Sequence, residues 1–386
     1  MPSLIRSAAL LSVAALATAC TCRSDYDLVA PQERPPEGDW GQWLSMDTTP
    51  DGRIAMTYYA TEREQIRFAT GTPKADGTVS WEHEDVDGHA QDGLNPGDRG
   101  KFGSMVVSPD GTVWASYHDA ALGQLRVAHR LSPDNWEHEM ADAGGGFAPV
   151  YGMWTSIDLD AENAPVVAHY DGDRKELRVV HYEDGDWSAE TIDEGDDFVT
   201  TDPETGEPVT VEADVGQFAR LLIHENTEFI AYYDAAQGDL KLAEGFAGTY
   251  TTSVVYSEGD VGQWPSIWTD GTTLAIAFHD VTNQDLVLGT RTNGQWTFEV
   301  VDDGDFMGAD TEVVWKGDDF AVVYFDGHNN DMRMASRVGG TWETERLGGS
   351  NEAVGFHNEI VQAGDGTWWA GSFDYTNRTV FVRPVQ

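Results

Sequence analysis

The amino-acid sequence predicts an all-β protein, a seven-bladed β-propeller built from four-stranded blades. The first observation is a glycine followed two residues later by an aromatic or charged side chain. It recurs seven times, at Gly41, Gly100, Gly152, Gly216, Gly262, Gly308 and Gly355. Eighteen or nineteen residues after each glycine, an apolar run ends in a triplet such as YYD or FHD, and another strand begins five residues later. Such regular internal spacing is typical of repeat architectures.

Each repeat contains the signals of four short strands. Segments such as SIWTDGTTLAIAF (266 to 278) alternate apolar and polar residues around a DG turn, the pattern of a β-hairpin. A fourth run with a tryptophan near its start follows in most copies, for example SWEHEDVD and QWTFEVVD. Repeated units of four strands indicate a propeller, because a closed ring covers both faces of every sheet.

The chain ends suggest how the ring closes. The seventh copy stops at Gln386 after its third strand, whereas residues 24 to 30 precede a segment, EGDWGQW, that matches EGDVGQW at 258 to 264. We therefore expect residues 24 to 30 to complete blade seven as its outer strand and to cap an open edge. The alternative is that this segment is a free tether. The predicted propeller spans residues 41 to 386, with a tether over 20 to 40.

The first 19 residues predict a signal peptide. Arg6 precedes an apolar run too short for an ordinary membrane span, and the run ends in Ala17-Thr18-Ala19-Cys20. Cleavage before Cys20 would make it the lipidated first residue of a bacterial lipoprotein, whereas ordinary secretory cleavage is the alternative. We expect an exported protein at the outer membrane or cell surface, otherwise secreted or periplasmic. Its contact with the membrane would be through the lipid alone. Cys22 is the only other cysteine, so no disulfide framework is expected.

Composition restricts the partners. The net charge of −44 leaves no excess of Lys or Arg to neutralise phosphates, which excludes nucleic acid as a ligand. It also argues against direct contact with an anionic membrane. A glycan or another protein fits the many Trp, Tyr and Asp residues, and a monomer is expected.

The repeats resemble a bacterial family whose units run Ser-Leu-Ala-Leu-Asp, Ile-Ala-Tyr-Tyr-Asp and Asp-Leu-Lys-Tyr-Ala. The resemblance is carried by SIDLDAENAPVVAHYDGDRKELRVV (156 to 180) and FIAYYDAAQGDLKLAE (229 to 244), and it covers residues 41 to 386. It implies a propeller on exported bacterial proteins. It implies no activity and no catalytic residues.

Topology places one candidate site. The start of the first strand and the end of the second lie at the same face of the disc, where uneven loops also emerge, including a predicted hairpin insertion at 194 to 215. At this mouth, two positions of the repeat that are usually aromatic or serine hold charged residues or histidine in some copies. One position holds Trp43, Phe102, Trp154, Phe218, Trp264, Asp310 and His357; the other holds Ser45, Ser104, Ser156, Arg220, Ser266, Glu312 and Glu359. Because residues two apart on a strand share a side, we expect Asp310 with Glu312 and His357 with Glu359 to point together.

Three interpretations of these charged residues remain open. In the first, they satisfy one another structurally, with Arg220 as counter-ion. In the second, Asp310, Glu312, His357 and Glu359 hold a divalent cation such as Ca, Mn or Zn, the only cofactor predicted. In the third, Glu312 and Glu359 act as acid and base on a glycan.

Ligand binding at the loop-bearing face is the favoured function. Its predicted contacts are Arg220, Trp43, Trp154, Trp264, Asp310 and His357. The alternatives are a polysaccharide-acting or metal-dependent hydrolase with its site at blades six and seven, and a scaffold without a small ligand. The aspartates that end six of the triplets are expected to fix turns by bonding to backbone N–H groups.

Overall fold

The computed structural model describes residues 39–74, 76–88, 97–144, 150–203, 205–349 and 352–385. Seven antiparallel sheets, each made of consecutive strands, follow one another along the chain and form the predicted seven-bladed propeller. The predicted signal peptide, Cys20 and the ring-closing strand at 24 to 30 lie outside the described residues. No helix within the described ranges is long and apolar enough to cross a membrane.

Blades one to four have four strands each. Blade one comprises β1 (Trp40–Thr48), β2 (Ile54–Ala60), β3 (Gln65–Pro73) and β4 (Val79–Asp87), with a 3-10 turn at Thr61–Arg63. Blade two comprises β5 (Arg99–Val107), β6 (Val113–Asp119), β7 (Gln124–Ser132) and β8 (Asn135–Ala143). Blade three comprises β9 (Tyr151–Leu159), β10 (Pro165–Asp171), β11 (Glu176–Glu183) and β12 (Asp186–Asp193). The predicted insertion is confirmed as a separate hairpin, β13 (Phe198–Thr201) with β14 (Pro208–Val211). Blade four comprises β15 (Val215–His224), β16 (Thr227–Asp234), β17 (Asp239–Gly245) and β18 (Thr251–Tyr256).

Blades five and six repeat this plan, and blade seven has three strands within the described residues. Blade five comprises β19 (Val261–Thr269), β20 (Thr273–Asp280), β21 (Asp285–Thr292) and β22 (Gln295–Asp302). Blade six comprises β23 (Met307–Lys316), β24 (Asp319–Asp326), β25 (Asp331–Val338) and β26 (Thr341–Arg346). Blade seven comprises β27 (Val354–Gln362), β28 (Trp368–Asp374) and β29 (Thr379–Val385).

The core lies between blades rather than inside one sheet. Each pair of neighbouring blades encloses one apolar cluster, so every sheet buries both faces. The cluster between blades one and seven closes the ring, because Leu44 and Met46 of β1 pack with Trp369 of β28. The backbone N–H of Trp40 also donates to the carbonyl of Arg378, at 3.0 Å.

Polar side chains link several blades near their outer strands. At the first interface, the Tyr117 hydroxyl donates to Asp87 at 2.6 Å, and the Arg126 guanidinium lies 3.3 Å from the same carboxylate. Equivalent groups recur as Asp142 with His169 and Arg178, Asp193 with Tyr232 and Lys241, and Asp302 with Tyr324 and Arg333. Between blades four and five the same places hold apolar partners, with Tyr256 packed on Phe278. At each of these interfaces the contacting side chains are therefore matched, either polar with polar or aromatic with aromatic.

Candidate ligand-binding site at the tunnel mouth

A β-bulge in the innermost strand of every blade sets the geometry of the mouth. In blade one, Gln42 pairs with Tyr59 but Ser45 pairs with Thr57, so β1 has one residue more than β2 over this stretch. The residue at the bulge adopts left-handed backbone geometry in all seven blades, with φ between 47° and 56°, at Trp43, Phe102, Trp154, Phe218, Trp264, Asp310 and His357. Non-glycine residues avoid this region unless the surroundings fix them in it. The bulge turns these seven side chains toward the tunnel axis.

Five of the seven side chains form a continuous aromatic arc. Ring centroids are 5.4 Å apart for Phe102 and Trp154, 5.0 Å for Trp154 and Phe218, and 4.9 Å for Phe218 and Trp264. At the other end of the arc, Trp43 lies 5.3 Å from Phe102. His357 extends it, 5.6 Å from Trp43. The remaining position in the circle belongs to Asp310. We call these seven residues the mouth ring.

Side chains behind the mouth ring hold it in place. Tyr59 packs against Trp43 with centroids 5.3 Å apart, and its hydroxyl donates to Asp98 at the start of the next blade, at 2.6 Å. Tyr170 supports Trp154 in the same way and donates to Asp214 at 2.8 Å. The rigid support means that a ligand would meet preformed aromatic faces rather than mobile side chains.

The residue after each bulge adds a second brace. Thr155 donates to the carbonyl of Phe102 at 2.8 Å, and Asn358 donates to the carbonyl of Asp310 at 2.9 Å. The Oδ1 atom of Asn358 is buried and has no hydrogen-bond partner among the described residues. Asn358 also lines the cavity inside the mouth ring. The mouth ring lines a cavity of about 120 Å³ that is open to solvent. This volume is smaller than the roughly 300–1,000 Å³ of pockets that enclose a drug-sized ligand.

A second ring of side chains lines the tunnel below the mouth ring. Its serines join neighbouring blades: Ser45 accepts from the backbone N–H of Met105 at 3.0 Å, and Ser156 accepts from Leu221 at 2.9 Å. Ser104 and Ser266 make the equivalent bonds to Ile157 and Val313, at 3.3 and 3.0 Å. The recurring serine of the repeat is therefore a link between inner strands. We call this set, with its three charged replacements, the serine ring.

The three charged members of the serine ring converge across the tunnel. Arg220 donates through one nitrogen, Nη2, to Glu312 and to Glu359, the latter at 3.4 Å. The side chains of Arg220, Glu312 and Glu359 are 25%, 17% and 10% exposed respectively, so the three groups are largely removed from water. Burial raises the pKa of Glu359 to about 8, although Arg220 opposes the shift. Glu359 is therefore largely protonated at neutral pH, whereas Arg220 stays charged with a raised pKa.

Burial also shifts the pKa of the two polar members of the mouth ring, Asp310 and His357. It raises the pKa of Asp310 to about 6, although a bond from the backbone N–H of His357 and the charge of Arg220 oppose the shift. It lowers the pKa of His357 to about 4. At pH 7 Asp310 is mainly a carboxylate and His357 is neutral. The mouth thus presents a negative side chain in an otherwise uncharged ring.

The structure corrects one expectation and confirms part of another. Asp310 with Glu312, and His357 with Glu359, do not follow simple strand alternation, because a bulge at positions 310 and 357 separates them into two rings. The structural interpretation is confirmed for Arg220, which is the counter-ion of Glu312 and also donates to Glu359. Asp310 and His357 stand apart from that triad.

The predicted metal ligands gain no support from the geometry. Among the residues that the structure describes, no group of three or more His, Cys, Asp or Glu side chains is placed to hold a metal ion. Glu312 and Glu359 face Arg220, and the imidazole of His357 packs against Trp43. A divalent cation at Asp310, Glu312, His357 and Glu359 stays a prediction.

The turn aspartates behave as predicted. Asp280 accepts from the backbone N–H of Asn283 at 2.9 Å, and Asp119 accepts from Leu122 at 3.0 Å. The other four make equivalent bonds: Asp171, Asp234, Asp326 and Asp374. These residues shape loops beside the mouth rather than line the cavity.

The sequence-predicted contacts Trp43, Trp154, Trp264, Asp310, His357 and Arg220 all line one cavity. Phe102 and Phe218 belong to the same ring but were not among the predicted contacts, although their alignment with the tryptophans was visible. Asn358 was not predicted. Its only sequence signal is a polar residue where blade one has Leu44.

Comparisons with known proteins support the fold alone. No protein-family model matches the chain, and no curated protein matches it in sequence. Among solved structures, the polysaccharide lyase Uly1 has a TM-score of 0.52 at 10% identity, covering 97% of this chain and 95% of that one. The fucose-specific lectin from Aleuria aurantia has a TM-score of 0.45 at 13% identity, covering 83% of this chain and 98% of the lectin. The Hadza microbial sialidase Hz136 has a TM-score of 0.46 at 13% identity, covering 80% of this chain and 66% of the sialidase.

Proposed function

We propose that this protein is a glycan-binding β-propeller whose ligand enters the tunnel mouth and packs against the mouth ring. The observation that carries the proposal is the preformed arc from Trp43 to Trp264, closed by the polar residues Asp310 and His357. The polysaccharide lyase that shares its fold is named for the same ligand class.

The chemistry of the mouth ring suits a sugar better than a flat protein surface. A sugar ring has apolar C–H faces that pack on aromatic rings, and hydroxyl groups at its edge that need polar partners. The cavity supplies tilted aromatic faces and the polar groups of Asp310, His357 and Asn358 within one concave space. A protein ligand would more often need a broad interface of about 800 Å² per partner.

We further propose that the protein is exported and attached to a membrane by lipid on Cys20, as its N-terminal sequence predicts. A propeller tethered in this way would display its binding face outside the cytoplasm, where polysaccharides are found.

A hydrolase is the second candidate, and the raised pKa of Glu359 is what favours it. Glycosidases use a carboxyl group of raised pKa as the acid beside a second carboxyl group. Glu359 is largely protonated at pH 7, whereas Glu312 is held by Arg220. Turnover of a bound glycan that disappears in Glu359→Gln, without loss of binding, would establish this activity.

A glycan binding screen on the full chain tests the main proposal. Trp154→Ala should abolish binding of any glycan found, because it opens the centre of the arc, whereas Trp154→Phe should retain most of it since Phe102 and Phe218 occupy equivalent positions. Trp315→Ala is the matched control, as Trp315 is 41% exposed on β23 and is absent from the cavity lining.

The proposal fails if no glycan binds. It also fails if Trp154→Ala and Trp315→Ala weaken binding equally, since the mouth ring would then have no special role. Circular dichroism of each variant would confirm that the sheets are retained.

A further inference from the structure

The charges around the tunnel restrict which sugar can enter. The serine ring lines a second cavity, which shares Arg220 and Glu359 with the cavity inside the mouth ring. Arg220 is the only Lys or Arg among the described residues that line these two cavities. Its guanidinium is already engaged by Glu312 and Glu359. A carboxylate on the ligand would therefore meet no Lys or Arg without an anionic partner among the described residues that line these cavities.

The mouth ring presents the opposite sign. Asp310 interrupts the aromatic arc beside Trp264 and His357. Its carboxylate accepts from the backbone N–H of His357 and feels the charge of Arg220, which is already paired with Glu312. Aromatic faces attract cations through the negative charge density above the ring. An aromatic arc with a single carboxylate is a suitable binding site for a positively charged group.

The net charge of the whole molecule also favours a positively charged ligand. Its formal net charge is −44, so its field repels acidic sugars and attracts basic ones before contact. Local and long-range electrostatics therefore act in the same direction.

We propose that the glycan bound at the mouth ring carries a protonated amino group, as in an amino sugar with a free amine, and that Asp310 binds this ammonium. This inference rests on the proposed glycan-binding function and names its substrate class. The sugar ring packs within the arc formed by Phe102, Trp154 and Phe218, and its ammonium is directed to the carboxylate side of the ring. The neutral imidazole of His357 adds no positive charge beside Asp310.

The test measures affinity by isothermal titration calorimetry of the full chain at pH 7. The ligands are β-1,4-linked glucosamine oligomers of two to four sugars, their fully N-acetylated forms and the corresponding glucose oligomers. The three series have the same linkage and differ in the group at carbon 2. We expect the free-amine series to bind at least tenfold more tightly than either neutral series.

Two variants test whether the preference for the free-amine series comes from the Asp310 carboxylate. Asp310→Asn should remove the amine preference while retaining affinity for the neutral oligomers, because the amide keeps the shape and left-handed backbone but not the charge. Asp365→Asn is the matched control: it removes a carboxylate from an exposed turn after β27 and should leave the preference unchanged.

Three results would overturn the inference: equal or tighter binding of a neutral series, no binding of the free-amine series, or a preference that survives Asp310→Asn. The proposed glycan-binding function would still stand if another glycan bound in a Trp154-dependent manner. If no glycan binds at all, both proposals fail.

Discussion

The three charged residues of the serine ring should lower the free energy of unfolding. Replacing them with serine, the residue that the other blades have, tests this. In four blades a serine joins its inner strand to the next, whereas Arg220, Glu312 and Glu359 occupy the corresponding places in the other three. A triple variant that changes all three charged residues to serine would recreate the full ring. Each new inter-blade hydrogen bond should contribute about 0.5–1.5 kcal/mol, or about 1.5–4.5 kcal/mol for three.

The single variant Arg220→Ser should act in the opposite direction. It leaves Glu312 and Glu359 facing each other with 17% and 10% of their side chains exposed. Breaking a buried ion pair costs about 3–5 kcal/mol. Because Arg220 is itself 25% exposed and water can enter the tunnel, we expect about 2–3 kcal/mol here.

Urea unfolding at pH 7, followed by tryptophan fluorescence, measures both effects as shifts in the midpoint at constant slope. The triple variant should unfold at a higher urea concentration than wild type, and Arg220→Ser at a lower one. A triple variant that unfolds at the same or a lower urea concentration than wild type would show instead that the charges stabilise the ring.

Three further predictions follow from the same geometry. Relative to Glu359→Gln, the free energy of unfolding of the wild type should fall as pH rises from about 5 to 8. Burial raises the pKa of Glu359 to about 8, so over this range the folded state holds a proton that the unfolded state has lost. The free energy should fall by no more than about 1.4 kcal/mol per pH unit. A flat difference in urea midpoints over this range would contradict the raised pKa. Phe218→Val should be less stable than Phe218→Asn by about 1–2 kcal/mol, because Phe218 has a φ of 55°, a conformation that asparagine tolerates and β-branched residues do not; equal melting temperatures would contradict this. Cys20→Ser should move the protein from the membrane fraction to the soluble fraction and abolish incorporation of labelled fatty acid; unchanged membrane association would contradict lipidation of this cysteine.

The blade plan was predictable because its signals are local and repeated. The glycine before each bulge, the turn aspartates and the spacing between triplet and third strand fix where strands begin and end. The location of the mouth followed from strand direction alone. Repetition also made the exceptions visible, since Arg220, Glu312 and Glu359 stand where the other copies hold serine.

The arrangement of the two rings was not predictable from one sequence. A bulge depends on how two strands are paired, and alternation along β23 or β27 gave the wrong relation between Asp310 and Glu312 and between His357 and Glu359. Which charges meet also depends on ring closure, because Arg220 reaches Glu359 across 139 residues of chain. The brace from Asn358 to Asp310 depends on the same long-range contact between blades.

A crystal structure of the protein with a bound oligosaccharide would show whether the mouth ring is the binding site. The ligand would be the tightest-binding glycan of the screen. We expect density for a sugar ring enclosed by Trp43, Trp154 and Trp264, with the remaining sugars extending out of the mouth. A sugar bound on the outer strands or the opposite face, with the mouth ring unoccupied, would show that the binding site lies elsewhere.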